Sequence, residues 1–296
     1  DNLTKNLFLI RDRTGQKPLY YYFDNTNFCF SSELSSFYNF KDIDLRLNIA
    51  SFNEFLRLGY FPQKTSSIKN IKKVLPGTYI KVTKIENKFH LEEKKWLGIN
   101  NINKKKNNHN FQNEVSHLNE IFLNVVGDNL VSDVNKGVFL SSGIDSTLIA
   151  CYSKIFLNNN LNTFTIGFEN SNYDESFKAS KTAKTLNSNH NNILLKDYDV
   201  KESILKMNDI YSEPFGDTSQ IPTYLLSKHS SNFIKVALAG DGGDELFGGY
   251  NRYQFLNYIK LIKRIGIGKI FNSFNITNKN FLINFIFITF QSSEDK

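Results

Sequence analysis

The sequence predicts a mixed α/β protein in which a β-rich first part precedes a second part built on a parallel sheet. Up to about residue 97, short apolar runs alternate with turns, which is an antiparallel pattern. Beyond residue 113, helical and strand-like segments alternate, which predicts a parallel sheet flanked by helices. Two loops of small and acidic residues, 141–146 and 239–245, each follow an apolar run. We expect both loops at the carboxyl ends of strands, where open α/β sheets bind ligands.

The composition indicates a globular chain that is long enough for two domains. It has 296 residues, of which 40% are hydrophobic and 14% aromatic, and this is sufficient for a substantial core. The formal net charge of +7 comes from scattered lysines, so we expect no nucleic acid partner. The longest apolar run, residues 281–290, is about half the length of a membrane span. We therefore expect a core helix there and no membrane partner.

Cysteine and histidine usage indicates neither a disulfide framework nor a zinc site. Cys29 and Cys151 are too few for such a framework, and the five histidines form no pair with zinc-ligand spacing. A cytoplasmic location is therefore expected. The chain starts at Asp1 without a methionine or a leader pattern, so we expect it to be an internal piece of a longer protein.

The first part, residues 1–97, is expected to contain one short helix among its strands. Phe52, Phe55 and Leu56 have helical spacing and predict a helix over residues 50–58. The Asn- and Lys-rich stretch 98–113 predicts a linker. The predicted strands of this part are residues 7–10, 19–23, 28–30 and 78–82.

The second part, residues 114–296, is expected to open with an amphipathic helix. The apolar stripe that predicts this helix consists of Leu118, Ile121, Phe122, Val125 and Val126. The predicted helices are residues 117–130, 146–156, 175–186, 200–210 and 220–229. The predicted strands are residues 137–140, 163–168, 192–195 and 234–238.

The first loop, residues 141–146 (SSGIDS), has the composition of a phosphate site. Ser141, Ser142 and Gly143 are small enough for backbone N–H groups to approach a polyanion at a helix N-terminus. Asp145 or Ser146 could instead cap the helix, but a cap accounts for one residue only. A carboxylate beside phosphates requires a cation between them, so Asp145 is a candidate Mg²⁺ ligand. The loop lacks the G-x-x-x-x-G-K-S/T pattern of the kinase-type phosphate loop.

The second loop combines glycines with acidic residues. Five of the sixteen glycines of the chain fall within residues 240–249, a density that favours special dihedral angles or a close ligand. Asp241, Asp244 and Glu245 bring three carboxylates together, which is unfavourable without cations or hydrogen-bond donors. An ordinary surface turn is the alternative, but Leu238 and Leu246-Phe247 flank the loop with apolar residues.

These residues resemble the glutamine-hydrolysing asparagine synthetases. Ser141 to Ser146 is similar to the SGGxDS pyrophosphate loop that this family shares with N-type ATP pyrophosphatases. The more specific match is Ala239 to Tyr253, AGDGGDELFGGYNRY. Further matches are residues 7–21 (LFLIRDRTGQKPLYY), 31–34 (SSEL), 75–77 (LPG), 132–134 (SDV), 163–168 (TFTIGF), 173–175 (YDE), 213–215 (EPF) and 219–223 (SQIPT).

The resemblance implies a fold and a set of site residues. The fold is a parallel-sheet ATP-pyrophosphatase domain, similar to adenine nucleotide alpha-hydrolases, preceded by the β-rich back portion of an Ntn-type glutamine amidotransferase domain. Asp145 and Asp244 would bind Mg²⁺, Asp241 would be the catalytic acidic residue tied to the aspartyl-adenylate, and Glu245 would lie near the substrate. The implied ATP-binding residues are Leu140, Ser141, Ser142, Gly143, Asp145, Ser146, Ile166, Ala239 and Gly240.

The implied reaction is the ATP-dependent amidation of L-aspartate to L-asparagine through β-aspartyl-AMP, with glutamine as the ammonia donor and with AMP and pyrophosphate as products. ATP turns a carboxylate oxygen into a leaving group, while Mg²⁺ and backbone N–H groups stabilise the developing charge. The expected partners are these small molecules, and a homodimer is compatible with the resemblance.

The sequence departs from the family pattern at several positions. Ser142 replaces the usual first glycine, and Ala239 replaces a serine, which removes one hydrogen bond of about 0.5 to 1.5 kcal/mol. The chain has no N-terminal cysteine nucleophile, and Cys29 cannot replace one whose own α-amine serves as base. We therefore assign no glutaminase nucleophile here; we expect it before Asp1, and we expect basic residues that assist adenylation beyond Lys296.

Three alternatives remain open at this point. The first is a related adenylating amidotransferase acting on another carboxylate, such as a sugar acid, a peptide or a β-lactam precursor. The second is a non-catalytic truncated remnant. The third, a tRNA-modifying pyrophosphatase, is disfavoured because it would not carry the glutaminase-like first part.

Overall fold

A computed structural model describes residues 1–24, 26–97, 110–169, 174–251 and 253. Most of the predicted linker, residues 98–109, lies outside the described residues, as do Tyr173 and the apolar run 281–290. Of the helices in the described ranges, none combines the length and the apolar character that a bilayer span requires.

The first part consists of two three-stranded antiparallel sheets and one α-helix. Its elements are β1 (Asn6–Ile10), β2 (Tyr20–Phe23), β3 (Phe28–Ser31), α1 (Ile49–Leu58), β4 (Ile71–Lys73), β5 (Thr78–Ile85) and β6 (Lys88–Lys95). One sheet has the order β1-β5-β6 and the other β3-β2-β4. Successive side chains of β2 point to opposite faces of its sheet. Tyr20 and Tyr22 therefore belong to one apolar cluster, and Tyr21 belongs to another. The predicted antiparallel pattern is therefore confirmed.

The second part contains a four-stranded parallel sheet, as predicted, and the order of its strands is β10-β7-β8-β9. Its core is formed by Val138, Leu140, Ala150, Leu161, Ala179 and Ala183, all at most 2% exposed. Its elements are α2 (Phe111–Asn129), β7 (Lys136–Phe139), α3 (Ile144–Leu157), β8 (Asn162–Phe168), α4 (Ser176–Thr185), β9 (Asn189–Leu195), α5 (Asp197–Ile210), α6 (Gln220–Ser230), β10 (Val236–Leu238) and α7 (Gly243–Phe247).

Strand β4 was not predicted, and helix α5 begins three residues before its predicted start at 200. Three further differences have identifiable physical reasons. Helix α2 begins at Phe111, six residues before the predicted start at 117, because the Asn110 side chain caps it by accepting from the Gln112 N–H. Strand β6 (KFHLEEKK) was not predicted, since it is an edge strand whose charged side chains face solvent. Strand β9 begins at Asn189, three residues early, because its polar start pairs in register with β8.

The apolar stripe predicted on α2 is only partly buried by described residues. Val126 is 2% exposed, whereas Ile121 is 43% and Val125 is 50% exposed. The helix is therefore amphipathic as predicted, but most of its stripe is not part of the core that the described residues form.

Candidate functional site

The two predicted loops begin side by side at one edge of the parallel sheet. Strands β7 and β10 are neighbours and run parallel, with Val138 opposite Leu238. The first loop joins β7 to α3 and the second joins β10 to α7. Both loops thus lie at the carboxyl ends of their strands, at the position where open α/β sheets bind ligands.

Glycines bring the two loops into backbone contact. A Cβ atom on Gly240 would lie 2.7 Å from the Ser146 backbone nitrogen and 2.9 Å from the Cβ atom of Asp145. A Cβ atom on Gly243 would lie 2.7 Å from Oδ2 of Asp145. Gly242 has a φ of +90°, a conformation that side chains other than glycine rarely adopt. The glycine-rich composition of the second loop therefore reflects a close approach to Asp145 and a left-handed turn.

The first loop is closed by its own hydroxyl groups. The Ser141 N–H donates to Ser146 Oγ (3.1 Å), and the Gly143 N–H donates to Ser141 Oγ (3.1 Å). Ser146 is 7% exposed, and its hydroxyl contacts Ser141 Oγ at 2.9 Å. Helix α3 starts after Gly143 without a side-chain cap, so helix capping does not account for Asp145, which lies in the first turn.

Leu140 and β8 hold the start of this loop against the sheet. The Leu140 N–H donates to the Phe164 carbonyl (2.9 Å), and the Leu140 carbonyl accepts from the Thr165 hydroxyl (2.5 Å). The Leu140 side chain is 2% exposed and packs in the core, while Ile166 is half-buried. The geometry thus gives Leu140 a packing role, and its contact with adenosine stays a prediction. Thr165 was not predicted, because its role depends on a neighbouring strand.

Glu175 is a second residue that sequence analysis did not assign to the site. Its Oε2 accepts from the Ser142 hydroxyl (2.7 Å) and from the Ser142 N–H (3.4 Å). The preceding residue, Asp174, accepts from the N–H and the hydroxyl of Ser176 and so fixes the start of α4, directly after Glu175. These hydrogen bonds from Ser176 lower the pKa of Asp174. The carboxylate of Glu175 therefore occupies donors of the first loop that would suit a phosphate oxygen.

The predicted acidic residues lie on both sides of the contact between the loops. Asp145 packs against Gly243, and the neighbouring Asp244 faces Gly249. Asp241 is exposed on the second loop, and Glu245 accepts from the Tyr250 hydroxyl at 2.8 Å. Ala239 and Gly240 are half-buried where β10 ends.

The acidic residues fit a metal ion that is bound together with phosphates, not a metal site formed by protein groups alone. The described residues contain no group of three or more His, Cys, Asp or Glu side chains that could hold a metal ion. Mg²⁺ is commonly held by one or two carboxylates together with substrate phosphates and water. Asp145 lies at the contact between the loops in the first turn of α3, and Asp244, whose carboxylate faces Gly249, follows Gly243 in the second loop; two such carboxylates are compatible with that donor set.

This geometry defines an α/β protein in which two loops of small and acidic residues meet at the carboxyl edge of a parallel sheet. The sequence profile of the asparagine synthase family matches residues 117–278, and a glutamine amidotransferase domain profile matches residues 1–96. The chain belongs to the asparagine synthase family.

Two curated relatives illustrate the range of similarity. The chain is 35% identical over 251 residues to a Methanocaldococcus jannaschii protein assigned as glutamine-hydrolyzing asparagine synthetase 2, covering 82% of this chain and 47% of that protein. It is 30% identical over 266 residues to glutamine-hydrolyzing asparagine synthetase 1 of Bacillus subtilis, covering 88% of this chain and 40% of that protein. The chain therefore spans less than half the length of these relatives.

The similarity to one solved structure shows how distant such a match can be. An ammonia-dependent NAD synthetase from Campylobacter jejuni is 21% identical, with a TM-score of 0.33, covering 46% of this chain and 60% of that chain. A similarity at this level carries no information on function.

Proposed function

We propose that the complete gene product is a glutamine-dependent asparagine synthetase, a C–N ligase that converts ATP to AMP and pyrophosphate. The observation that carries the proposal is the contact between the two loops around Asp145, through Gly240 and Gly243. This contact joins a candidate pyrophosphate loop to the segment with the most specific family resemblance. Membership in the asparagine synthase family supports the same substrate class.

The first loop has the groups needed to bind the pyrophosphate part of ATP. Backbone N–H groups in the first turn of α3 lie where the helix dipole favours negative charge, and the Ser142 N–H joins them when Glu175 does not accept from it. The hydroxyls of Ser141 and Ser146 hold the loop in shape. Asp145 and Asp244 would hold Mg²⁺, which when bound offsets the negative charge that develops on the phosphates.

Residues around the first loop would receive the nucleoside and the acceptor. Ile166, Ala239 and Gly240 would line the nucleotide, with Leu140 beneath them. Asp241 would take part in forming the adenylate, and the exposed Glu245 would lie near the acceptor. In the proposed step an aspartate carboxylate oxygen attacks the α-phosphorus and pyrophosphate leaves; ammonia then attacks the acyl carbon and AMP leaves.

The first part supports glutamine as the source of ammonia. Its match to the glutamine amidotransferase profile covers residues 1–96. Cys29 is not suited to be the nucleophile, because burial, with a contribution from Asp24, raises the pKa of its thiol. Both cysteines of the chain are free thiols, as a reducing cytoplasm would favour.

Exchange of labelled pyrophosphate into ATP tests the acceptor. The complete gene product should catalyse exchange that requires L-aspartate and Mg²⁺, because adenylation is reversible before ammonia attacks. A panel of sugar acids, peptide carboxylates and β-amino acids serves as the comparison. If one of these acids supports exchange and aspartate does not, the reaction is the amidation of that acid and the proposal of asparagine synthesis is wrong.

Replacing Glu175 by glutamine is expected to tighten ATP binding by about 2- to 5-fold. The Glu175 carboxylate occupies the Ser142 donors and repels incoming phosphate, and exposed charge interactions of this kind are worth roughly 0.2–1 kcal/mol. Isothermal titration calorimetry of ATP binding to the complete gene product measures the change. The exposed Glu120→Gln on α2 is the matched control. Unchanged or weaker ATP binding in the Glu175 variant would show that the carboxylate does not compete with phosphate.

A further inference from the structure

The loop between α5 and α6 fastens the second part of the molecule to the first. The Gly216 N–H donates to the Gly59 carbonyl at 2.6 Å. The Ser212 hydroxyl donates to Oε2 of Glu33 at 2.9 Å and accepts from the Ser35 N–H at 3.4 Å. Residues 211–216, which we term the docking loop, therefore contact two separate segments of the first part through Gly216 and Ser212.

Glu213 lies at the centre of the docking loop. Both oxygens of its carboxylate have partners in the first part, one of which is a lysine. Its Oε2 pairs with Nζ of Lys73 at 2.6 Å and accepts from the Tyr20 hydroxyl at 3.3 Å, and its Oε1 accepts from the Ser67 N–H at 2.6 Å. Burial, and next the Glu213 carboxylate, raise the pKa of Tyr20, so this phenol remains a donor. Lys73 also lies 5.7 Å and 5.9 Å from the ring centres of Tyr20 and Phe61.

This ion pair differs from the others that the described residues form. The side chains of Lys73 and Glu213 are 14% and 11% exposed. In each of the other described pairs, at least one partner is 43% exposed or more. Exposed pairs contribute little, whereas removing one partner of a buried pair leaves an uncompensated charge in the interior. Replacing one carboxylate oxygen of Glu213 by an amide nitrogen is therefore expected to weaken the contact between the two parts.

Hydrogen bonds also connect the docking loop to helix α6, on the side of the candidate site. The Tyr211 hydroxyl donates to the Gln220 carbonyl at 3.3 Å, and the Gln220 side chain donates to the Phe215 carbonyl at 3.4 Å. Gln220 begins α6, which packs on β8. Strand β8 carries Thr165, whose hydroxyl holds the Leu140 carbonyl at the start of the first loop. A contiguous set of contacts thus joins Glu213 to the phosphate-type loop.

We propose that Glu213 is a positioning residue that couples the first part to the synthetase site, so that its loss impairs turnover with glutamine and spares turnover with free ammonia. The inference rests on the proposed function, because it assumes that the first part belongs to a glutamine-using domain. Glu213 touches no reacting atom in this account. Its effect is exerted through the position of the docking loop against the first part.

The test compares asparagine formation from glutamine and from ammonium by the complete gene product. We expect Glu213→Gln to lower the glutamine-dependent rate by roughly 10-fold, a usual size for coupling between sites, and to leave the ammonium-dependent rate within about 2-fold. Lys73→Met should have the same signature, and Tyr20→Phe, which removes the longest of the three contacts, a smaller one. The control is Glu92→Gln, which breaks the exposed pair with Lys94 and should change neither rate.

Amide hydrogen exchange provides a readout that does not depend on turnover. In a folded Glu213→Gln protein, the amides of Ser67 and Gly216 should exchange faster, while those in β8 keep their protection. Equal loss of both rates, or an unchanged ratio of rates together with unchanged exchange at these amides, would overturn the proposal. If the unaltered protein forms no asparagine from either nitrogen source, the proposed function fails, and the exchange at Ser67 and Gly216 still decides whether Glu213 fastens the two parts. If Glu213→Gln does not fold, Tyr20→Phe takes its place in both measurements.

Discussion

Replacing Gly243 by alanine is expected to lower aspartate-dependent pyrophosphate exchange by on the order of 100-fold. The added methyl group would lie 2.7 Å from Oδ2 of Asp145 and closer still to its carboxyl carbon, so the Asp145 carboxylate or the second loop must move. A displacement of about 1 Å in a catalytic site costs a factor of this size. Gly243 is the first residue of helix α7 and, unlike Gly242, has no positive φ, so its backbone conformation accepts alanine. A loss of exchange without a loss of thermal stability would therefore identify the contact between the loops as the cause.

Gly127→Ala is the matched control for this variant. Gly127 lies within α2, apart from both loops. The added methyl group would lie 2.9 Å from the ring of Phe156 on α3. We expect this variant to keep its exchange rate, since the displaced Phe156 ring belongs to neither loop and no candidate site residue has to move. Full exchange activity in Gly243→Ala would mean that the two loops do not need their close contact.

Replacing Asp145 by asparagine is expected to reduce Mg²⁺-dependent exchange by on the order of 100-fold or more and to raise the Mg²⁺ concentration needed for half-maximal rate. The substitution keeps the shape of the side chain and removes the charge that would hold the cation. Losses of 10- to 100-fold are usual even for residues that only support a metal ligand. Asp145→Ala should abolish the use of ATP while the fold stays intact, since no side-chain cap of α3 depends on Asp145.

The control for Asp145 is Asp128→Asn, which neutralises an exposed carboxylate on α2. It should alter neither the rate nor the Mg²⁺ dependence. Circular dichroism melting curves of all three variants separate folding from function. An Asp145→Asn protein with the original rate and the original Mg²⁺ requirement would refute the metal role of Asp145.

Local sequence patterns were sufficient for most of the fold. The stripe on α2, the apolar runs of β7 and β8 and the alternation of helix and strand all predicted elements that the structure contains, because the periods of helix and strand can be read from neighbouring residues. Strand β6 was missed because its charged residues are tolerated only at the edge of a sheet. The start of α2 was misplaced because a polar Asn cap precedes the apolar stripe.

The candidate site was predicted less completely, since its contacts join distant segments. The composition of each loop indicated phosphates and a cation, but the contact of Gly240 and Gly243 with Asp145 links residues about 100 positions apart. Thr165, Glu175 and Glu213 have no local pattern that marks them as site or coupling residues. Their roles follow from strand order and from the packing of loops, which no short window of sequence contains.

The most direct test of the central claim follows the oxygen atoms of aspartate. The complete gene product is supplied with ATP, ammonium and L-aspartate whose side-chain carboxylate carries ¹⁸O, and the phosphorus products are examined by ³¹P NMR. If the aspartate carboxylate attacks the α-phosphorus at the loop pair, each AMP must carry one ¹⁸O atom and the pyrophosphate none. Label in inorganic phosphate, or AMP formed without label, would contradict an aspartyl-adenylate and with it the role proposed for the two loops.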